Sequence, residues 1–263
     1  MRRLPFEKWH GLGNDFILGF EEDGWSLADG KQAVRLCDRH RGIGADGLLV
    51  VGREPRSMTV FNADGSLSEM CGNGLRCVAA ALVERSAAAG WFDLGTGAGP
   101  HAVRRLENGE IEVRMPRPRL LCDSTGSPLV RPEQAMQGAG YRVSTGNPHW
   151  VFLEPIDPPV LSEVGPLLEH DPQFPDRVNV EFVRRLPDGA LRVDVWERGC
   201  GITQACGTGA AAVAEVWRQT AGLAETASLT VELPGGRLSF RWEGEQIVMR
   251  GPAVHLFDGS VAL

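Results

Sequence analysis

The feature that most constrains this chain is that it is written twice. Gly13-Asn14 recurs as Gly146-Asn147. Asn62, at the end of the apolar run Met58–Phe61, has a counterpart in Glu197, at the end of the run Val193–Trp196. Cys71 has a counterpart in Cys206. The three offsets are 133, 135 and 135 residues. A repeat this long describes two homologous domains rather than a short-period solenoid. At each repeat a cysteine precedes Gly-x-Gly, and the chain then turns into an alanine-rich helical pattern, as "SEMCGNGLRCVAAAL" (Ser68–Leu82) and "ITQACGTGAAAVAEV" (Ile202–Val216).

Local patterning fits a duplication of a strand-rich unit. Strands are expected at Asp46–Val51, Met58–Phe61, Ala102–Leu106, Ile111–Arg114 and His149–Leu153. The second half continues with Val178–Val183, Leu191–Trp196, Ser228–Leu233, Arg237–Trp242 and Gln246–Arg250. The tetrads Glu107–Glu110 and Pro187–Ala190 read as hairpin turns. Helices are few: Lys31–Arg39, Leu75–Arg85, Ser162–His170 and Ala210–Thr220. Each half is then many strands around one helix that begins just after its special cysteine. The Pro-rich, polar stretch Met115–Pro128 marks the boundary, dividing residues 1–115 from 116–251.

Composition removes several classes of function. A net charge of −7 argues against a sequence-independent grip on nucleic acid or on an anionic membrane. No apolar run approaches the ~18 residues of a membrane span, and the start, "MRRLPFEKWHGLGNDF", has no apolar secretory core. A cytoplasmic location is the expectation. Only two lysines occur, Lys8 and Lys31, neither in a loop suited to a Schiff base, which leaves little room for pyridoxal phosphate. The spacing C-x5-C of Cys71–Cys77 and Cys200–Cys206 is not that of a structural zinc site. No cofactor and no metal are expected.

A cysteine at a helix start meets free backbone N–H groups and the positive end of the helix dipole, which favour its thiolate. The same N–H groups can hold a carboxylate, and the glycines let a ligand approach the backbone. Two such cysteines facing one cleft could work on opposite faces of a substrate carbon. One removes a proton as thiolate and the other delivers one as thiol, so the stereocentre inverts. The other reading is that both are small buried hydrophobes, the ordinary fate of free cysteine. That reading is taken for Cys37, Cys77, Cys122 and Cys200; the acid–base reading is taken for Cys71 and Cys206.

At this point the chain resembles a known family. The stretches "HGLGNDFIL", "DRHRGIGADGLLVV", "FNADGS", "CGNGLRC", "TGNPHWV", "RVNVEFV", "ERGCGITQACGTGAAA" and "GPAVHLFDG" occur here in the order in which diaminopimelate epimerases carry them. The resemblance implies an isomerase that interconverts LL- and meso-diaminopimelate, a precursor of lysine and peptidoglycan, without a cofactor. It implies an α+β fold of two pseudo-symmetric domains, each an antiparallel barrel-like sheet around a central helix, with the site in the cleft between them. The last strand, 252–263, is expected to return to the first domain. Cys71 and Cys206 match the paired acid/base thiols, and Gly72-Asn73 and Gly207-Thr208 match the donors that hold the reacting carboxylate. Asn14, Asn62, Asn147 and Asn179 match side chains that bind the rest of the substrate. Glu197 and Arg198 match the pair at its polar groups, and His149 matches a histidine supporting catalysis. Taken singly, each asparagine also reads as a turn residue, and His149 equally as a packed strand residue. A homodimer is implied, with Phe257 where some members place a contact tyrosine. Gly47 stands where many members have a glutamine.

Other readings stay open on sequence. Proline, hydroxyproline or histidine racemases also use two thiols, although proline-type enzymes place Gly-His after the first cysteine where this chain has Gly72-Asn73. Isomerases of phenazine synthesis share the implied fold but lack the thiol pair. A non-catalytic, amino-acid-binding thiol switch is the third.

Overall fold

The computed structural model describes residues 3–53, 55–86, 90–122, 126–133 and 138–262; part of the expected boundary, residues 123–125, lies outside them. The chain forms two compact units, Met1–Arg114 with Arg250–Leu263, and Met115–Met249.

In the first unit β1 (Arg3–Gly11) and β2 (Asn14–Phe20) form an antiparallel hairpin. Helix α1 (Gly30–Cys37), started by an Asp29/Gln32 capping box, carries the chain over to β3 (Gly47–Arg53), which lies parallel to β2. Strands β4 (Arg56–Asn62) and β5 (Leu67–Ser68) follow in antiparallel pairing. Helix α2 (Gly72–Ser86) then crosses to β6 (Phe92–Thr96), parallel to β4, and β7 (Gly99–Arg105) and β8 (Ile111–Pro116) add an antiparallel meander.

The second unit repeats this order. Two short strands, β9 (Arg119–Leu120) and β10 (Leu129–Val130), pair with β11 (Gly140–Ser144), which pairs with β12 (Pro148–Phe152). Helix α3 (Pro158–Glu169) crosses to β13 (Asn179–Arg185), parallel to β12. Next come β14 (Leu191–Glu197) and β15 (Gly201–Ile202). Helix α4 (Gly207–Thr220) crosses to β16 (Ser228–Leu233), parallel to β14, before β17 (Gly236–Glu243) and β18 (Gln246–Gly251). Both sheets are therefore mixed rather than wholly antiparallel. Each repeat has two helical crossovers, and a helical crossover returns the chain in the same direction. The final strand, β19 (Val254–Ala262), lies antiparallel to β1 within the first unit.

The central helices are buried all round. Every residue from Gly72 to Leu82 is buried in α2, as are Gly207 and Gly209–Val216 in α4. A helix surrounded on all sides has no polar stripe, and its alanines let the strands close in. Both helices begin a turn earlier than their apolar patterns suggest, so the Gly-x-Gly motifs form the first turns rather than the loops before them.

The hairpin β1–β2 gave no turn signal. Its two-residue loop is Leu12-Gly13, both at positive φ (57° and 82°); a leucine there is unusual and is held by burial. A bulge between Lys8 and Trp9 in the pairing with β19 breaks the inside–outside alternation of β1, so both side chains are buried. The two tetrads read as turns do close hairpins, with Gly109 and Gly189 each at φ 86°.

Gly259 lies directly opposite Phe6, whose ring covers it; a Cβ there would meet Phe6 Cζ at 2.4 Å. Gly259→Val should push this ring out of the core and cost about 1–3 kcal/mol. A melting curve checks it, and an unchanged melting temperature contradicts it.

Candidate active site

Cys71 stands immediately before α2. Its carbonyl accepts the first helical bond, from Leu75 N at 2.8 Å, and its Sγ accepts from Gly74 N at 3.4 Å. Cys206 is the N-cap of α4, with Ala210 N on its carbonyl at 3.0 Å and Gly209 N on its Sγ at 3.4 Å. The same atoms do the same work in both units. Helix geometry gives the other N–H groups of these first turns no acceptor within their own helix. A Cβ on Gly74 would come 3.2 Å from Leu49, and one on Gly209 would come 2.6 Å from Glu181 Oε1. Both helix starts are thus packed against a residue of the neighbouring sheet.

Around Cys71 a relay of fixed polarity runs through three side chains. The Arg76 guanidinium, fully buried, can only donate. It gives Nη2–H to Asn73 Oδ1 (2.8 Å), and further bonds to the carbonyls of Pro252 (3.1 Å) and Gly72 (3.3 Å). Asn73 must then offer its amide nitrogen, which donates to Asn14 Oδ1 at 3.1 Å. Asn14 in turn donates Nδ2–H to Asp46 at 2.9 Å. Asp46 is also held by Arg39 (2.7 Å), which bridges to Asp15 (2.6 Å). Both ends of the relay are groups with one possible role, so the Asn14 amide has one orientation, its oxygen turned to Asn73 and Cys71. Burial lowers the Arg76 pKa, against attraction from Cys77 and Cys71; a guanidinium nevertheless stays charged in proteins. Cys71 therefore has a buried cation near it.

Cys206 has the opposite surroundings. Its Sγ lies 3.5 Å from Thr208 Oγ1, and the charge of Glu197, whose carboxylate accepts from Thr203 Oγ1, acts on it. Burial, then the charges of Glu197 and Glu181, push the Cys206 thiol well above its ordinary value, against the hydrogen bonds of Thr208 and Gly209. The expectation that a helix start favours the thiolate fails at this position: two carboxylates and burial outweigh the helix end. Burial likewise raises Glu197, with Thr203 and Cys206 opposing it. Below these groups His149 and Glu181 form a pair at 2.6 Å, both with no exposed surface. His149 Nε2 lies 3.2 Å from Asn147 Oδ1, which also accepts from Thr145 Oγ1 at 2.7 Å.

The remaining candidates are placed as follows. Asn179 is buried and spends both ends of its amide internally, donating to Pro148 O (3.0 Å) and accepting from Arg198 N (2.9 Å). It thereby fixes the Glu197–Arg198 corner. Arg198 is half-buried, one nitrogen on Asp176 O at 2.9 Å. Asn62 is exposed and donates to Ser66 in its own turn. At Gly47 a Cβ would come 2.9 Å from the Phe61 carbonyl, so glycine suits the backbone there. Cys37 and Cys77 are buried thiols, pushed by burial up to about 11 and about 12. Cys122 and Cys200 are exposed, contrary to the buried reading taken for both. Among the described residues no group of three His, Cys, Asp or Glu side chains could hold a metal ion.

Sequence reasoning missed Arg76, Asp46 and Glu181. Each stands alone in an apolar or glycine-rich stretch ("CGNGLRCVAA", "GIGADGLLVV", "NVEFV"), and for Arg76 and Glu181 an isolated charge inside a buried element is the signal that was available.

Such a fold and pair of helix starts define a class of two-domain, two-cysteine proteins. Among solved structures, a PhzF-family phenazine biosynthesis protein from Bacillus anthracis superposes with a TM-score of 0.75 at 16% identity, each chain covered over 100% of its length. A hydroxyproline epimerase from Agrobacterium vitis gives a TM-score of 0.71 at 15% identity, over 100% of this chain and 93% of that one. These share the fold. The family model for diaminopimelate epimerase matches twice, at residues 6–121 and 141–256. A diaminopimelate epimerase of Synechococcus sp. (strain JA-2-3B'a(2-13)) is 43% identical over 99% of both chains, and that of Synechocystis sp. (strain ATCC 27184 / PCC 6803 / Kazusa) is 40% identical over the same share. The chain belongs to the diaminopimelate epimerase family.

The raised Cys206 gives a pH prediction. An unfolded cysteine titrates near 9.0 and the folded one well above it, so above pH 9.0 the unfolded chain releases a proton that the native state keeps. Stability is full below that pH and falls as pH rises through the window, by up to about 1.4 kcal/mol per pH unit. Cys206→Ser keeps a capping oxygen but does not titrate there. Its stability should fall less steeply above pH 9.0 in denaturant melts; an equal slope contradicts the assignment.

Proposed function

We propose that this protein is a diaminopimelate epimerase, inverting one α-carbon between the LL and meso forms. The observation that carries the reading is the pair of cysteines capping two buried helix starts, in a chain that matches such enzymes over nearly its whole length. The N–H groups at Gly72-Asn73 and Gly207-Thr208 take the reacting carboxylate, whose negative charge suits helix N-termini. Cys71, beside the Arg76 cation, accepts the α-proton; Cys206, held as a thiol, delivers its proton to the opposite face. The sulfur charge moves from Cys71 to Cys206, and the reverse reaction runs the same transfer backwards. Asn14, Asn62, Asn147, Glu197 and Arg198 read the remaining ammonium and carboxylate groups, with Asn179 holding the Glu197–Arg198 corner.

The chemistry needs a thiolate, a thiol and a carboxylate clamp, and this reading assigns no cofactor. Its setting is amino-acid biosynthesis in the cytoplasm; among the described residues, no helix is long and apolar enough to cross a membrane. The enzyme works as a homodimer through β19, where Val254, Leu256 and Phe257 stand exposed on one strand. Exposed apolar clusters of this kind suit a protein partner.

Cys71→Ala and Cys206→Ala should each abolish epimerisation of LL-diaminopimelate while leaving the fold intact by circular dichroism. Near-normal turnover by either variant rules out the two-thiol assignment. Equal turnover of proline or hydroxyproline by the unmodified protein would move the reading to another racemase.

A further inference from the structure

The asparagines that open β2 and precede β12, Asn14 and Asn147, occupy equivalent places in the two repeats, yet their amides are oriented differently. Asn14 donates its amide nitrogen to Asp46 and turns its oxygen to Asn73 and Cys71, whereas Asn147 turns its oxygen to Thr145 and His149. The difference goes with two strand positions. In the first unit Phe16 pairs with Gly47 and Leu49 packs on the first turn of α2. In the second, His149 pairs with Asn179, and Glu181 stands where Leu49 does, against the first turn of α4. The second unit has thus replaced an apolar pair by a buried imidazole and carboxylate.

Hydrogen-bond chemistry sets the state of this pair. His149 Nδ1 and Glu181 Oε1 lie 2.6 Å apart and share a hydrogen bond, and the other carboxyl oxygen, Oε2, is buried with no partner. A neutral His149 would leave a net negative charge buried on Glu181, close to Glu197 and Cys206, the other titratable groups that reach this place from β14 and α4. Burying a carboxylate without a counter-charge is costly. A doubly protonated His149 cancels it, and its second N–H then requires an oxygen from Asn147, which is the end of the amide that faces it.

We infer that Glu181 is a positioning residue: through a charged His149 it fixes Asn147 with its amide NH2 turned out of the pair as a hydrogen-bond donor, whereas Asp46 fixes Asn14 with its oxygen presented. The two repeats then offer a substrate opposite polarity, Asn147 toward a carboxylate and Asn14 toward an ammonium. This rests on the proposed diaminopimelate chemistry for its substrate but not for its geometry.

The test uses Glu181→Gln, which keeps the shape and removes the charge. In 15N-histidine NMR at neutral pH, both ring nitrogens of His149 in the unmodified protein should carry protons, and in Glu181→Gln only one should. The KM for LL-diaminopimelate should rise about tenfold, as expected for losing one buried hydrogen-bonded orientation. The spectrum of the unmodified protein stands even if the variant does not fold: a single protonated ring nitrogen there overturns the inference. So does a variant whose His149 stays doubly protonated, or whose KM is unchanged. Absence of turnover by the unmodified protein would sink the substrate reading and leave the NMR result intact.

Discussion

The rest of the structure depends on burying the first turn of a helix. A helix start carries N–H groups that its own backbone cannot satisfy, and here two such starts lie inside their units rather than at a surface. At both, a cysteine sulfur takes the third N–H, and glycine lets the neighbouring sheet come within contact distance. What is left is a buried, electropositive turn with a thiol at its mouth. The alanine-rich bodies of α2 and α4, the crossovers around them and the mixed sheets all serve to surround those turns.

The two repeats give these turns the same geometry, and the residues around them give opposite charge. Arg76 has no basic counterpart in α4, where the equivalent residue is Ala211; the Glu181–His149 pair has no counterpart around Leu49 and Phe16. Near Cys71 stands a buried cation; near Cys206 burial, then two carboxylates, push the thiol above its ordinary range. A pair of identical half-sites would have no preferred starting state for proton transfer. Unequal ones do, which is what a reaction needing one base and one acid requires of a pseudo-symmetric frame.

The duplication, the cysteines and the glycines were legible in the sequence because their chemistry lies in residue type and local spacing. Glu181 was not, because its meaning comes from the register of β12 beside β13, which brings residues 149 and 181 together across a helix. Asp46 and Arg39 escaped for the same reason: Asp46 meets Asn14, and Arg39 meets Asp15, only once β2 and β3 align. The hairpin at Leu12 was hidden because burial, not turn chemistry, holds that residue at positive φ. Asn179 matched a substrate ligand, and the structure adds bonds of its amide to Pro148 O and Arg198 N that residue identity does not carry.

The most direct test of two thiols acting on opposite faces is isotopic. LL-diaminopimelate is incubated with the unmodified protein in deuterium oxide, and the earliest product and the remaining substrate are separated. If Cys71 removes the proton and Cys206 supplies a different one, the first meso product carries deuterium at the inverted α-carbon while recovered substrate carries almost none. A single group that removes and returns the same proton would leave much of the early product unlabelled, and that result would contradict the account.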